Sequence, residues 1–221
     1  MDPYRNPFAP GAGSRPPELA GRQAILRDAE IAIQRALLGK PSRSQMLLGL
    51  RGVGKTVLLN KIELMAEAVG HVTSSIEAPE GKALSELLVP KINQALRKLS
   101  TSENAKAKTH QALRALRSFA SAFKLSYGDA SISVDPEVGV ADSGDMEADL
   151  PELFVRVGEA AKAAGKAWSL LIDEVQYLRS KDLAALIVAL HKVNQRDLPV
   201  LFFGAGLPQV AALSGDAKSY A

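Results

Sequence analysis

The stretch GLRGVGKT, residues 49–56, restricts the fold more than any other part of the chain. It fits the pattern G-x-x-x-x-G-K-[ST], with Gly49, Gly54, Lys55 and Thr56 in register and Gly52 as a further small residue inside. The pattern is a mechanism. Glycines let the main chain wrap so that successive N–H groups point inward, at the height of phosphate oxygens. A helix opening at that point adds the positive end of its dipole. The lysine brings a point charge to the β- and γ-phosphates and the threonine hydroxyl a ligand for magnesium. All of this requires a strand before the loop and a helix after it. The flanks supply both: QMLL (45–48) is a short apolar strand, and the residues from Lys55 to about Ala68 read as a helix closed by Gly70. Arg51, Val53 and Val57 complete the residues expected against the nucleotide.

A phosphate loop of this kind needs a second group for magnesium and another to place the attacking water. WSLLIDEVQ offers both, where a continuous apolar strand (168–172) runs into Asp173-Glu174. Parallel α/β sheets gather functional residues at the carboxyl ends of their strands. Asp173 is the expected metal partner, and Glu174 the group that orients or deprotonates water. The glutamate argues against a small-molecule kinase, whose acceptor brings its own nucleophile.

The remaining elements follow from periodicity. Apolar positions from Arg22 to Leu38 recur at helical spacing, HVTSSIE (71–77) is a β-branched second strand, and LPVLFFGAG (198–206) a last one. Between the two nucleotide motifs, roughly residues 79–150 read as an insert. It holds two amphipathic helices around Leu84–Leu99 and Leu113–Phe123, a hairpin about Gly128-Asp129, and an acidic loop. A helix from Leu153 to Ala164 follows, and another around Leu183–Leu190. Residues 1–20, rich in Pro and Gly, are expected to form an extended arm ahead of a core spanning 21–221.

Composition sets outer bounds. A chain of 221 residues, 47% hydrophobic, can bury one sizeable core, and no run approaches the ~20 apolar residues of a membrane span. With no cysteine there is no disulfide framework and no thiol nucleophile, and no signal core stands at the N-terminus; a cytoplasmic protein is expected. The formal charge is only +3, but it is uneven. From Lys91 to Lys124 there are eight basic residues and one acid, and from Leu125 to Val155 eight acids and no Lys or Arg. That is either a basic arm for phosphate backbones or a solvated helical face compensated by an acidic neighbour. His71, His110 and His191 lack metal-ligand spacing and are expected to be structural; Trp168 is expected in the core. Gln176, Arg179 and Arg196 read as solvent-facing.

With GLRGVGKT, LLIDEVQ and VLFFGAG in that order, the chain resembles the AAA+ ATPases, and within them the origin-recognition/Cdc6-like ATPase domains. The stretch RPPELAGRQAIL is similar to that family's N-terminal box. The resemblance implies a P-loop NTPase three-layer α/β sandwich with a mostly parallel sheet, the loop strand beside VLFF and VLFF beside WSLLI. It implies ATP and Mg2+ as ligands, and Pro17, Leu19 and Arg22 lining the base. Three departures stand out: Gly204-Ala205-Gly206 offers no side-chain sensor at the end of the last strand, no helical lid is expected within the chain, and no Arg follows Arg196 to serve as an arginine finger. The functional expectation is a Mg2+-dependent ATPase acting as a nucleotide switch, with its output region beyond Ala221. A DNA-binding initiator-like module and a nucleotide-locked scaffold with little turnover are the alternatives, and a homo-oligomer and a nucleic-acid partner stay open.

Overall fold

The computed structural model of the chain describes residues 22–101, 103–125 and 134–211. Its centre is a parallel sheet of four strands: β1 (Gln45–Leu48), β2 (Val72–Glu77), β3 (Trp168–Asp173) and β4 (Val200–Gly206), in the spatial order β1-β4-β3-β2. The loop strand therefore lies beside VLFF, and VLFF beside WSLLI, as the sequence resemblance implies. The helices among the described residues are α1 (Gln23–Leu37), α2 (Lys55–Ala68), α3 (Leu84–Leu99), α4 (Glu103–Ala122), α5 (Met146–Ala163) and α6 (Ser180–Gln195), with a 3-10 turn at Val175–Tyr177.

Side-chain alternation on the central strands divides the core into two. Leu171, Leu201, Phe203 and Ala205 face α1 and α2, where they pack with Ile33, Leu58 and Ile62. Leu170, Ile172, Val200 and Phe202 face the opposite side, packed with Leu88, Leu150, Phe154 and Leu186 from α3, α5 and α6. Both β3 and β4 are buried along their whole length, which is why WSLLID and VLFFGAG read as continuous apolar runs. The layers are thus α1–α2, sheet, and α3–α6: the three-layer α/β sandwich expected.

Three boundaries differ from the sequence reading, the first being α4, which begins at Glu103 and not near Leu113. The helix before β3 begins at Met146, not Leu153, so part of the acidic stretch is its first two turns. The Asp145 side chain caps it by accepting from Glu147 N (3.1 Å), and acids at Glu147 and Asp149 suit the positive helix end. Pro151 inside the helix and the density of acids masked that start. β2 opens at Val72, with His71 left in the turn after α2, its N–H bonded to the Ala66 carbonyl (3.0 Å). The proposed hairpin about Gly128-Asp129 and the arm 1–20 lie outside the described residues.

Buried polar groups tie the layers together. The Trp168 indole N–H donates to Ser74 Oγ (3.0 Å) while its ring meets Phe154 edge-on at 5.1 Å. Asp182, fully buried, accepts from Leu84 N (3.1 Å) and from both Nε and Nη2 of Arg179 (2.8 and 3.1 Å). Arg179 is exposed, as expected, and its guanidinium pairs with the carboxylate that joins the starts of α3 and α6. His71 is buried between α1 and the sheet, with Nδ1 2.8 Å from Ser169 Oγ and Nε2 3.0 Å from the Ile33 carbonyl. A carbonyl can only accept, so Nε2 carries the proton and Nδ1 accepts from the serine.

Burial lowers the pKa of His71 below its ordinary 6.5, partly opposed by the bond to Ile33. The folded form then binds a proton less readily than the unfolded chain, so stability falls as pH drops below about 6.5 and is fully present above it. Chemical denaturation between pH 7.5 and 5.5 is expected to show this loss, with a slope from this one residue of at most ~1.4 kcal/mol per pH unit. In a His71→Gln variant that part of the slope is expected to vanish.

Candidate functional site

The site lies along the carboxyl edge of the sheet. After β1 the chain turns through residues 49–54, with Gly52 and Gly54 at φ 78° and 82°. Those left-handed values let the loop curl back without side-chain strain. Gly54 is the N-cap of α2 and no side chain caps that helix. The first intrahelical bond is Leu58 N to Gly54 O (3.0 Å), so the N–H groups of Lys55, Thr56 and Val57 open the helix free of intrahelical acceptors. No acid lies in the first turn of α2 to compete with an anion there.

Lys55 lies over the loop, its ammonium donating to the Gly49 and Leu50 carbonyls (3.0 and 2.9 Å). The Thr56 hydroxyl donates to Asp173 Oδ2 at 2.6 Å, joining the start of α2 to the end of β3 across 117 residues of sequence. The other carboxylate oxygen of Asp173 accepts from Glu174 N (2.8 Å). Glu174 stands at φ 55°, ψ 40°, a left-handed conformation uncommon for a residue with a side chain. That kink ends the strand and sends the chain into the 3-10 turn.

Arg22 and the loop form a cleft of about 450 Å³ against Ile25, Leu47, Val53 and Leu58. The volume falls in the range of small-ligand sites. Arg22 Nη2 donates to the Val53 carbonyl (3.3 Å), which places it at the loop. Pro17 and Leu19, expected in the same wall, lie outside the described residues. Arg51 projects into solvent and donates to the Tyr177 hydroxyl (2.9 Å), a contact the sequence did not suggest.

Gln176 is the main difference from the sequence reading. It is partly buried instead of solvent-facing: its Nε2 donates to Glu174 Oε2 and its Oε1 accepts from Leu207 N (3.1 Å). Nothing in the spacing D-E-x-Q announces this, because the left-handed turn at Glu174 decides where a residue two positions on will point. The basic segment 91–124 is compensated in part by acids: Lys106 meets Glu103 (2.6 Å) and Lys108 meets Glu159 (3.2 Å). Glu159 comes from α5, just past the acidic stretch 125–155, and Glu103 from the basic segment itself.

The donor set can be tested against a hard cation. Among the described residues no cluster of three or more His, Cys, Asp or Glu is placed to hold a metal. One carboxylate and one hydroxyl in direct contact do fit Mg2+, which keeps most of its shell as water and takes the rest from phosphate oxygens. A parallel sheet with a glycine-rich loop leading from β1 into α2, and an Asp-Glu pair ending β3, defines a P-loop NTPase. A family model for the AAA ATPase domain matches residues 18–203, and the chain belongs to that family. The match is to the family as a whole and does not single out an initiator-like branch. No curated protein matches the chain. Among the described residues, no helix is long and apolar enough to cross a membrane.

The Thr56–Asp173 contact has a measurable weight. A hydrogen bond to a buried carboxylate contributes about 1.5–3 kcal/mol. Thr56→Val is expected to lower urea-unfolding stability by an amount at the lower end of that range, and Thr56→Ser to restore most of it. Wild-type stability in Thr56→Val, which keeps the methyl group and lacks only the hydroxyl, would show that the bond to Asp173 contributes nothing.

Proposed function

We propose that this chain binds ATP with Mg2+ at the 49–56 loop and hydrolyses it. The observation that carries the reading is the hydrogen bond from Thr56 to Asp173, because it brings a hydroxyl and a carboxylate from two distant motifs to one point beside the loop. When bound, Mg2+ supplies charge neutralisation at the phosphates; Thr56 and Asp173 are the groups that hold it. The N–H groups at the start of α2 receive phosphate oxygens. Lys55, now on the Gly49 and Leu50 carbonyls, exchanges those acceptors for the β- and γ-phosphates. Arg22 and the cleft beside Ile25 and Val53 take the base. Glu174 orients and deprotonates the attacking water from the end of β3.

A switch role fits the same contacts. The loop residue Gly49 donates to the Gly206 carbonyl at the end of β4 (3.2 Å), and Arg51 reaches Tyr177 beyond β3. Rearrangement of the loop around a triphosphate therefore acts directly on the two segments leading out of the sheet.

Calorimetric titration with ATP and Mg2+ tests binding. Lys55→Ala is expected to weaken affinity by roughly 10- to 150-fold, the equivalent of one charge-assisted contact. Unchanged affinity would remove the assignment of the loop. Glu174→Gln is expected to keep nucleotide affinity and to slow phosphate release by about 100-fold or more. Wild-type turnover in that variant would take the water-orienting role from Glu174.

A further inference from the structure

We propose that Gln176 is a positioning residue for hydrolysis, whose carboxamide holds the Glu174 carboxylate and fastens it to the end of β4. The proposal rests on the reading of Glu174 as the group that orients water. Its basis is a continuous set of contacts. Gln176 Nε2 donates to Glu174 Oε2, and Gln176 Oε1 accepts from Leu207 N at 3.1 Å. On the other side of the same peptide unit, the Gly206 carbonyl accepts from Gly49 N at 3.2 Å. The peptide joining Gly206 to Leu207 thus touches the loop on one side and Gln176 on the other.

The backbone of Glu174 is already fixed. Its N–H is bonded to Asp173 Oδ1 (2.8 Å) and its carbonyl accepts from Tyr177 N (3.0 Å), which together sustain the left-handed turn. What that leaves free is the glutamate side chain, with three rotatable bonds. A carboxylate that swings among rotamers seldom stands where an attacking water needs it, and a group held in place avoids that loss. Gln176 is the side chain that supplies the restraint.

The last strand is shaped to admit it. Gly204-Ala205-Gly206 brings no polar side chain to the carboxyl edge. A Cβ on Gly206 would stand 3.1 Å from Gln176 Oε1 and 3.1 Å from Val210 Cγ2, so tight that one of those neighbours would have to give. The glycine leaves the space through which the carboxamide reaches Leu207 N. Gln176 therefore brings to the end of β4, from the turn after β3, an amide that the strand itself lacks.

A purely structural role, capping Leu207 N, makes different predictions. In Gln176→Ala, kcat is expected to fall at least about tenfold, as for a lost hydrogen bond to a charged group, with Kd for ATP and Mg2+ within about twofold of wild type. Combined with Glu174→Gln it is expected to add nothing further, because both changes remove the same function. Gln176→Glu keeps the acceptor for Leu207 N but sets two carboxylates together; it is expected to lose kcat while leaving Leu207 protected from hydrogen exchange. In the nucleotide-free chain, Leu207 exchange is expected to accelerate in Glu174→Ala as well as in Gln176→Ala, since Gln176 loses its other anchor. Wild-type kcat in Gln176→Ala, or unaltered Leu207 exchange in Glu174→Ala, would overturn the proposal. Wild-type turnover in Glu174→Gln would instead remove the water-orienting reading, and the exchange measurement would still decide whether Gln176 is coupled to Glu174.

Discussion

The hydrogen bond from Thr56 to Asp173 is the constraint around which the rest of the molecule is arranged. Its 2.6 Å length requires the end of β3 and the start of α2 to be fixed relative to each other to within a few tenths of an ångström. The two elements are not neighbours in the sheet. β4 stands between β1 and β3, paired in parallel with both, with Leu171 opposite Phe203 on one side and Gln45 opposite Phe203 on the other. Register across those two ladders determines how far the loop and the Asp-Glu pair stand apart. The small residues at the end of β4 then keep the space between them open to backbone and to Gln176.

Such register survives only in a sheet that cannot slip. Each central strand presents one apolar set to α1–α2 and another to α3–α6, so a shift by one residue would exchange every side chain between two differently shaped cores. Gly158 in α5 adds to the specificity. A Cβ there would approach Leu198 Cβ to 2.9 Å, so the helix lies closer to the entry of β4 than a larger residue would permit. The polar ties inside this packing join α1 to the sheet at His71, α3 to α6 at Asp182 and β3 to β2 at Trp168, at points where an apolar contact would fix no direction.

The phosphate loop, α2 and the strands β3 and β4 were legible because each carries a strong local signal: a glycine pattern, a continuous apolar run, a pair of acids at a strand end. The order of the strands was legible only through the family resemblance, since no local rule says that β4 enters between β1 and β3. The start of α5 was missed because its capping aspartate and first-turn acids look like an acidic loop, and Pro151 argues locally against a helix that the packing of Leu150, Leu153 and Phe154 holds in place. Gln176 reads as solvent-facing because polar residues after a strand are usually exposed, and what draws it inward is the backbone kink at Glu174; Arg179 does stay exposed, and only its pairing with the buried Asp182 has no local signal.

The sequence by itself determined the chemistry that this chain can offer: a ring of main-chain amides, an ammonium, a hydroxyl and two carboxylates, each placed at the end of an element whose type its neighbours dictate. That information is local, written in spacing and residue type. Only the tertiary structure decided which of those groups meet, and it did so through contacts that span more than a hundred residues or follow a turn no propensity announces. Thr56 finds Asp173, Gly49 finds Gly206, and Gln176 finds both Glu174 and Leu207 because parallel strands in fixed register bring their carboxyl ends to a single edge.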